Sequence, residues 1–429
     1  MQYFSTNRVS PHVSFRDAVL AGQPADKGLY FPTELPRLTP DWLASFRSLS
    51  NEQIAFDVIR PYVGGDIDDE SLYEIARETV NFSFPLVAVT ETIAALELFH
   101  GPTLAFKDVG ARFMSRCLRH FSRNRAEKTI VLVATSGDTG GAVAAGFHGV
   151  ENIEVVILYP KGKVSKVQEL QLTTLGGNVT TLELHGTFDD CQALAKRALA
   201  DTDIMSRVHL TSANSINVAR WLPQQFYYFY ALKQWEGDEP VVCVPSGNFG
   251  NLASGILAHI SGLPVRKFIA ACNANDVVPR FMDSQTYEPR DSVSTLSNAM
   301  DVGSPSNFVR ILEIFGHRFA DLKEKLEAVS VSDEATTATM RDVFSRCNYI
   351  LDPHGAVGFR ALEDHLNESG GRGIFLETAH PVKFDSVSDI LGTQGDVPPG
   401  VLELFDKERV SIEVDNDYGQ LKDVLVSKI

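Results

Sequence analysis

The segment Pro245-Ser246-Gly247-Asn248-Phe249-Gly250-Asn251 follows a strand-like VVCV (241–244) and runs directly into a helix-like stretch. Two glycines and two asparagines accept backbone conformations that turn successive N–H groups inward, and a helix start adds a positive dipole end. Such a turn can cradle a phosphate, and it can equally be a well-capped strand-to-helix connection. It has neither the Gly-Lys-Ser/Thr of a Walker loop nor the spacing of a dinucleotide GxGxxG. A second turn, Thr135-Ser136-Gly137-Asp138-Thr139-Gly140-Gly141, has the same placement and adds hydroxyls to the amides, which suits the carboxylate or phosphate of a small ligand. Asp138 in its middle would repel an anion unless it is turned aside as a helix N-cap. In HGPTLAFKD (100–108), Lys107 follows an apolar stretch. A lysine in apolar surroundings has the lowered pKa that imine formation or proton transfer requires, whereas an exposed one is unremarkable. The combination of one such lysine with two downstream anion-binding turns is more informative than any of the three alone.

Other reactive side chains point elsewhere. His100, His354 and His380 have no metal spacing such as HExxH and read as hydrogen-bonded groups beside a site rather than ligands. The five cysteines are scattered, odd in number and without a CxxC pair, so reduced thiols of a cytosolic protein are expected. The aromatic run FYYFY (226–230) reads as a buried helix face rather than a base-stacking platform.

The elements that must position these residues follow a βαβ grammar. TIVLVAT (129–135) leads into helix-like GGAVAAGF, IEVVILY (153–159) into VSKVQELQLTTL, and VTTLEL (179–184) into DDCQALAKRALAD. A second series holds VVCV, RKFIAACN (266–273) and GIFLET (373–378). The pattern predicts an α/β fold with two open, twisted, mainly parallel sheets flanked by helices. Residues 1 to about 82 read as a helical cap broken at Pro24, Pro32, Pro36, Pro40 and Pro61. Asp283 to Ser306 lacks periodicity and reads as a long functional or mobile loop.

With 429 residues and 44% apolar content, the chain is long enough for two or three lobes and is not of disordered composition. Its net charge of −16, without any basic block, argues against nucleic acid or an anionic membrane as partner. No apolar run reaches membrane-spanning length, and the opening MQYFSTNRVS has no leader-like pattern, so a cytoplasmic protein is expected.

HGPTLAFKD, ATSGDTGGAV, YPKGKVS, TSANSIN, VPSGNFGN, TLSNAMDVGSPSNF, DPHGAVGFRAL and ETAHPVKF occur in this order. Together they resemble the threonine synthase family, within the pyridoxal-phosphate enzymes of fold type II. The resemblance runs from NRVSPHVSFRDAVLAG and KGLYFP to about Ile390, most closely to the bacterial and fungal branch. It implies a cap region over 1–82, a large cofactor-binding α/β domain from 83–110 and 215–395, a small α/β domain over 111–214, and a tail over 396–429 packed on the large domain.

By the same resemblance, Lys107 would bond covalently to pyridoxal 5'-phosphate and later move protons. Gly247, Asn248, Phe249, Gly250 and Asn251 would hold the cofactor phosphate, and Thr378 would meet the pyridine nitrogen. The substrate implied is O-phospho-L-homoserine, converted with water to L-threonine and phosphate. Its carboxylate would sit on Thr135, Ser136, Gly137, Asp138 and Thr139, a loop expected to close over it, and its phosphate on Lys163, Ser215, Asn217 and Arg220. No metal is implied, and a monomer is expected. Two other readings fit parts of the chain: a Ser/Thr dehydratase-like lyase that eliminates water, and a non-catalytic homologue that binds the cofactor or a phospholigand. The N-terminal region and the SANSIN and TLSNAMDVGSPSNF segments favour phosphate elimination over the first, and Lys107 argues against the second.

Overall fold

β-Branched and aliphatic runs that are apolar throughout, such as TIVLVA and VVCVP, can only be satisfied between two layers of helices, and both are fully buried strands here. The computed structural model describes residues 1–123 and 128–428. In chain order its strands are Gln2–Ser5 (β1), Val13–Ser14 (β2), Tyr30–Pro32 (β3), Leu86–Ala88 (β4), Ile93–Glu97 (β5), Thr129–Ala134 (β6), Ile153–Pro160 (β7), Val179–His185 (β8), His209–Ser212 (β9), Val241–Pro245 (β10), Lys267–Cys272 (β11), Leu326–Ser330 (β12), Gly373–Glu377 (β13) and Ile412–Asp415 (β14). A six-stranded sheet has the order β12-β11-β10-β13-β5-β4, parallel except for β4 at its edge. A five-stranded sheet, β14-β8-β7-β6-β9, is parallel throughout. The two sheets and their helices are the α/β fold with flanked parallel sheets that the βαβ pattern predicts.

Three expectations need correction. The N-terminal region is not purely helical, because β1, β2 and β3 form a small antiparallel sheet beside its helices. Pro61 does not break the chain either. It lies inside the Asn51–Val63 helix, whose buried Ile54, Val58, Ile59 and Tyr62 hold the last turn despite the missing N–H. The tail packs on the large domain only at its start, where Val397 and Val401 meet Val382 and Leu104; the rest lies on the five-stranded sheet. β14 pairs in parallel with β8, and Tyr418, Leu421 and Leu425 of the Tyr418–Val426 helix join Leu182, Leu184 and Cys191 in the core of the five-stranded sheet. Tyr418 and Lys422 donate to Asp201 at 2.6 and 2.9 Å, fixing the tail there.

The Gln225–Gln234 helix sits at the centre, buried from Gln225 to Leu232, as FYYFY suggested. Its tyrosines carry their hydroxyls to three regions. Tyr230 donates to the Asn51 carbonyl of the cap at 2.9 Å, Tyr228 to the Asn251 carbonyl and Oδ1 at 2.9 Å each, and Tyr227 to the Phe106 carbonyl beside Lys107. One apolar helix therefore registers the cap, the lysine segment and the Gly-rich turn after β10.

Candidate active site

Lys107 is the first residue of the Lys107–Ser122 helix. The segment before it is pinned to the end of β13, with Ala105 bridging Ala379 and the Phe106 N–H donating to the Thr378 carbonyl at 2.9 Å. This places Lys107 and Thr378 on a cavity of about 130 Å³. The same cavity is lined by Thr135, Ser136, Asp138 and Thr139 after β6, by Ser215 and Arg220, and by Gly247 to Asn251 after β10. Segments widely separated in sequence thus meet at the carboxyl ends of parallel strands, where such sheets bind ligands.

The turn after β10 is neutral and preformed. Phe249, the N-cap of the Gly250–Ile260 helix, has φ 62, which tightens the chain so that the helix N-terminus faces the cavity. A Cβ on Gly247 would lie 2.6 Å from Met300 Cα, so only glycine fits. The Asn248 side chain is committed elsewhere, donating to Ser215 Oγ at 2.8 Å and accepting from the Ser306 N–H at 2.7 Å. Asn251 differs: Tyr228 fixes its Oδ1, and its buried Nδ2 has no partner among the described residues. A buried donor without a partner beside a helix N-terminus is what a phosphate would satisfy.

The turn after β6 is charged. Gly137 has φ 135, and a Cβ there would lie 2.4 Å from Gln168 Cδ. Thr135 Oγ1 accepts the N–H groups of Gly137 and Gly140 at 2.9 and 2.8 Å, capping the Asp138–Phe147 helix. Asp138 is therefore not the N-cap. It is the first helical residue, and its buried carboxylate bridges two lysines, Lys383 at 2.8 Å and Lys107 at 3.6 Å, with Gln168 donating at 2.9 Å. Burial opposes its charge, but Lys383, Lys107 and the hydrogen bonds outweigh burial and hold it well below the usual carboxylate range. Lys107 is shifted down by burial, with Lys383 and Arg220 adding to that shift and Asp138 opposing it.

Two expected phosphate contacts are not in the cavity. Lys163 lies exposed in the turn after β7. Asn217 is fully buried and used structurally: its Oδ1 accepts the Ala219 N–H at 3.0 Å and its Nδ2 donates to the Val19 carbonyl at 2.9 Å. Ser215 does line the cavity, but its Oγ already accepts from Asn248 and Asn307. Arg220 is 2% exposed, donates to the Ala213 carbonyl, and leaves a buried Nε without a partner. Burial lowers its pKa to about 10, so the guanidinium remains charged at neutral pH.

Lys383, fully buried, was not singled out from the sequence, although ETAHPVKF places it after an apolar residue in the pattern that marks Lys107. Its Nζ also donates to the Thr103 carbonyl at 2.7 Å. Of the three histidines, His354 lines the cavity, His380 caps the turn at Pro381–Lys383 by accepting the Val382 N–H, and His100 pairs with Glu97 at 2.7 Å. The loop over 283–306 is tied down rather than loose: Asn273 and Asn275 both reach Asp301, at 2.9 and 3.1 Å.

Comparison with known proteins agrees with this geometry. The family described as pyridoxal-phosphate dependent enzyme matches residues 87–374, and those described as threonine synthase N terminus and threonine synthase, C-terminal match residues 2–80 and 355–425. The threonine synthase of Escherichia coli (strain K12) is 43% identical over 431 residues, covering 100% of both chains. The chain belongs to the threonine synthase family. A crystal structure of threonine synthase from Escherichia coli superposes with a TM-score of 0.94 at 42% identity, covering 100% of each chain. A pyridoxal-phosphate-bound threonine synthase from Brucella melitensis gives 0.91 at 34%, covering 99% of this chain and 98% of that one. Membership of this family makes the protein a pyridoxal-phosphate-dependent lyase, and the Asn251 Nδ2, the helix N-terminus at Gly250 and the Lys107 amine on the same cavity fit that cofactor. Among the described residues, no helix is long and apolar enough to cross a membrane.

Proposed function

We propose that the protein converts O-phospho-L-homoserine and water to L-threonine and inorganic phosphate, in the cytoplasm and as a monomer whose cavity is lined by one chain. The observation that carries this reading is that one cavity is lined both by Asn251, whose buried Nδ2 has no partner among the described residues, and by the guanidinium-bearing Arg220. They offer two separate anion positions, one for a cofactor phosphate at Gly247 to Asn251 and one for a substrate phosphate at Arg220. A lyase that eliminates water needs only the first.

Lys107 takes the proton from Cα and then one from Cβ, phosphate leaves from Cγ, a proton returns to Cγ, water adds its hydroxyl at Cβ with loss of a proton, and a proton returns to Cα. Pyridoxal phosphate, when bound, supplies the electron sink for these steps. Thr378, at the end of β13, provides a neutral hydroxyl for the pyridine nitrogen. Ser136, Thr139 and the N-terminus of the Asp138–Phe147 helix receive the substrate carboxylate. Asp138 does not touch it, because its charge belongs to Lys107 and Lys383. Arg220 stabilises the departing phosphate, a task for a fixed guanidinium.

The test is product analysis with O-phospho-L-homoserine and, separately, L-threonine. Stoichiometric phosphate and L-threonine from the first, with Arg220→Met raising KM for it by at least about tenfold, supports the reading. Ammonia and a 2-oxo acid from L-threonine, without phosphate release from the phosphoester, overturns it.

A further inference from the structure

Glu377 ends β13, one residue before Thr378, and is fully buried. Its Oε1 accepts the Asp352 N–H at 2.8 Å and its Oε2 has no partner. Asp352, also fully buried, is the N-cap of the Pro353–Ser369 helix. Its Oδ1 accepts the His354 backbone N–H and ring Nδ1, each at 2.6 Å, and its Oδ2 has no partner. Two carboxyl groups therefore meet in one buried site, each with one oxygen that has no partner among the described residues. The room for them depends on Gly355, where a Cβ would lie 1.5 Å from Glu377 Oε2.

Among the described residues, no lysine or arginine pairs with these carboxyl groups. Glu97 at the end of β5 accepts the Tyr349 hydroxyl at 3.0 Å and pairs with His100 at 2.7 Å. His380 is pushed down to about 4 by burial and by His100, so it is neutral. Lys383 is committed to Asp138 and the Thr103 carbonyl. His354 Nε2 accepts the Ala299 N–H at 3.1 Å, which places a ring proton on Nδ1, facing Asp352. Two carboxylates so placed do not both ionise; burial first, then the Asp352 charge, pushes Glu377 well above the ordinary range. Their partners decide which holds the proton. Asp352 has a helix N-terminus, a backbone N–H and a ring N–H for its charge, and Glu377 has one N–H.

We propose that Glu377 and Asp352 share one proton, held on Glu377 Oε2 and directed at Asp352 Oδ2, and that the pair is a positioning device for the cavity. It holds His354 in the Nδ1–H tautomer, and His354 seats the Asn298–Met300 turn, whose Ala299 and Met300 form the cavity wall against Gly247. This goes beyond the reaction proposed above and does not depend on which substrate is used.

Glu377→Gln tests it, because the carboxamide keeps an acceptor for the Asp352 N–H and offers an N–H to Asp352 Oδ2. The native state holds an extra proton above the ordinary glutamate value, so its stability falls as pH rises. Between about pH 5 and about pH 8 the parent's unfolding constant should rise more steeply than the variant's, by up to about tenfold per pH unit. Carbon-13 spectra of glutamate-labelled protein should show one protonated carboxyl at neutral pH in the parent and none in Glu377→Gln, and nitrogen-15 spectra should place the His354 proton on Nδ1 in both. Parallel pH curves, no protonated glutamate in the parent, or an Nε2–H tautomer would each overturn the proposal. The parent spectra decide even if the variant fails to fold.

Discussion

The turns after β10 and β6 occupy equivalent places, each linking a buried parallel strand to a helix whose N-terminus faces the same cavity, yet they are built on opposite electrostatic plans. The turn at Gly247 to Asn251 is neutral and offers amides and the Asn251 Nδ2, which has no partner among the described residues. The turn at Thr135 to Thr139 carries the buried Asp138 charge and is tolerable only because Lys383 and Lys107 stand against it. The neutral turn can hold a permanent anion without any titrating group. The charged one ties the helix after β6 electrostatically to Lys107, the lysine proposed to move the protons, so the arrangement of Lys107 depends on two distant segments.

Breaking the charged plan should have the largest effect. Lys383→Met leaves Asp138 buried with only Lys107, at 3.6 Å, and should cost about 3–5 kcal/mol in denaturant unfolding. The double variant Lys383→Met/Asp138→Asn should recover much of this loss, and additive losses would show that the two residues are not a unit. Asp138→Asn alone gives a pH signature. The folded-state pKa of Asp138 is depressed, so its contribution is present above the unfolded value and is lost as pH falls. The stability gap between parent and Asp138→Asn should be widest at neutral pH and shrink below about pH 4; a gap that stays constant with pH would contradict the bridging role.

The contrast between the turns also explains what was legible in the sequence. Gly247, Gly250 and Asn251 announce a neutral cradle because backbone geometry is local, and strand, glycines and helix are contiguous. The charged plan is not local: Lys383 arrives from the far end of β13, and nothing near Asp138 reveals its partner. Lys163 shows the opposite error, since KGK looks like a cation supply but forms an exposed turn. Asn217 was misplaced because a polar residue in a polar motif reads as a ligand until its amide is seen capping Val218–Trp221. Most of the tail was assigned to the wrong sheet for a related reason. IEVD in β14 buries only Val414, too little apolar pattern to choose between two sheet edges.

The neutral turn should respond less strongly. Asn251→Ala removes one uncharged donor, which should weaken pyridoxal-phosphate affinity by about 1–2 kcal/mol, roughly tenfold, in equilibrium dialysis, with little change in unfolding of the cofactor-free protein. Since Nδ2 has no protein partner, a large loss of cofactor-free stability would mean that the side chain serves the fold instead.

Salt should give the smallest effect, and it separates the two plans within one protein. A chain of net charge −16 that takes a small anionic substrate must draw it in through a few cations, and such attraction is screened over about 10 Å at 0.1 M salt. The turn after β10 offers a cofactor phosphate only neutral donors, so cofactor affinity should change little with ionic strength. If the substrate phosphate is held at Arg220, as proposed, its capture should weaken modestly, raising KM about threefold, while kcat changes less. Equal salt sensitivity of cofactor affinity and KM would erase the distinction between the turns, because both anions would then be held by the same long-range field.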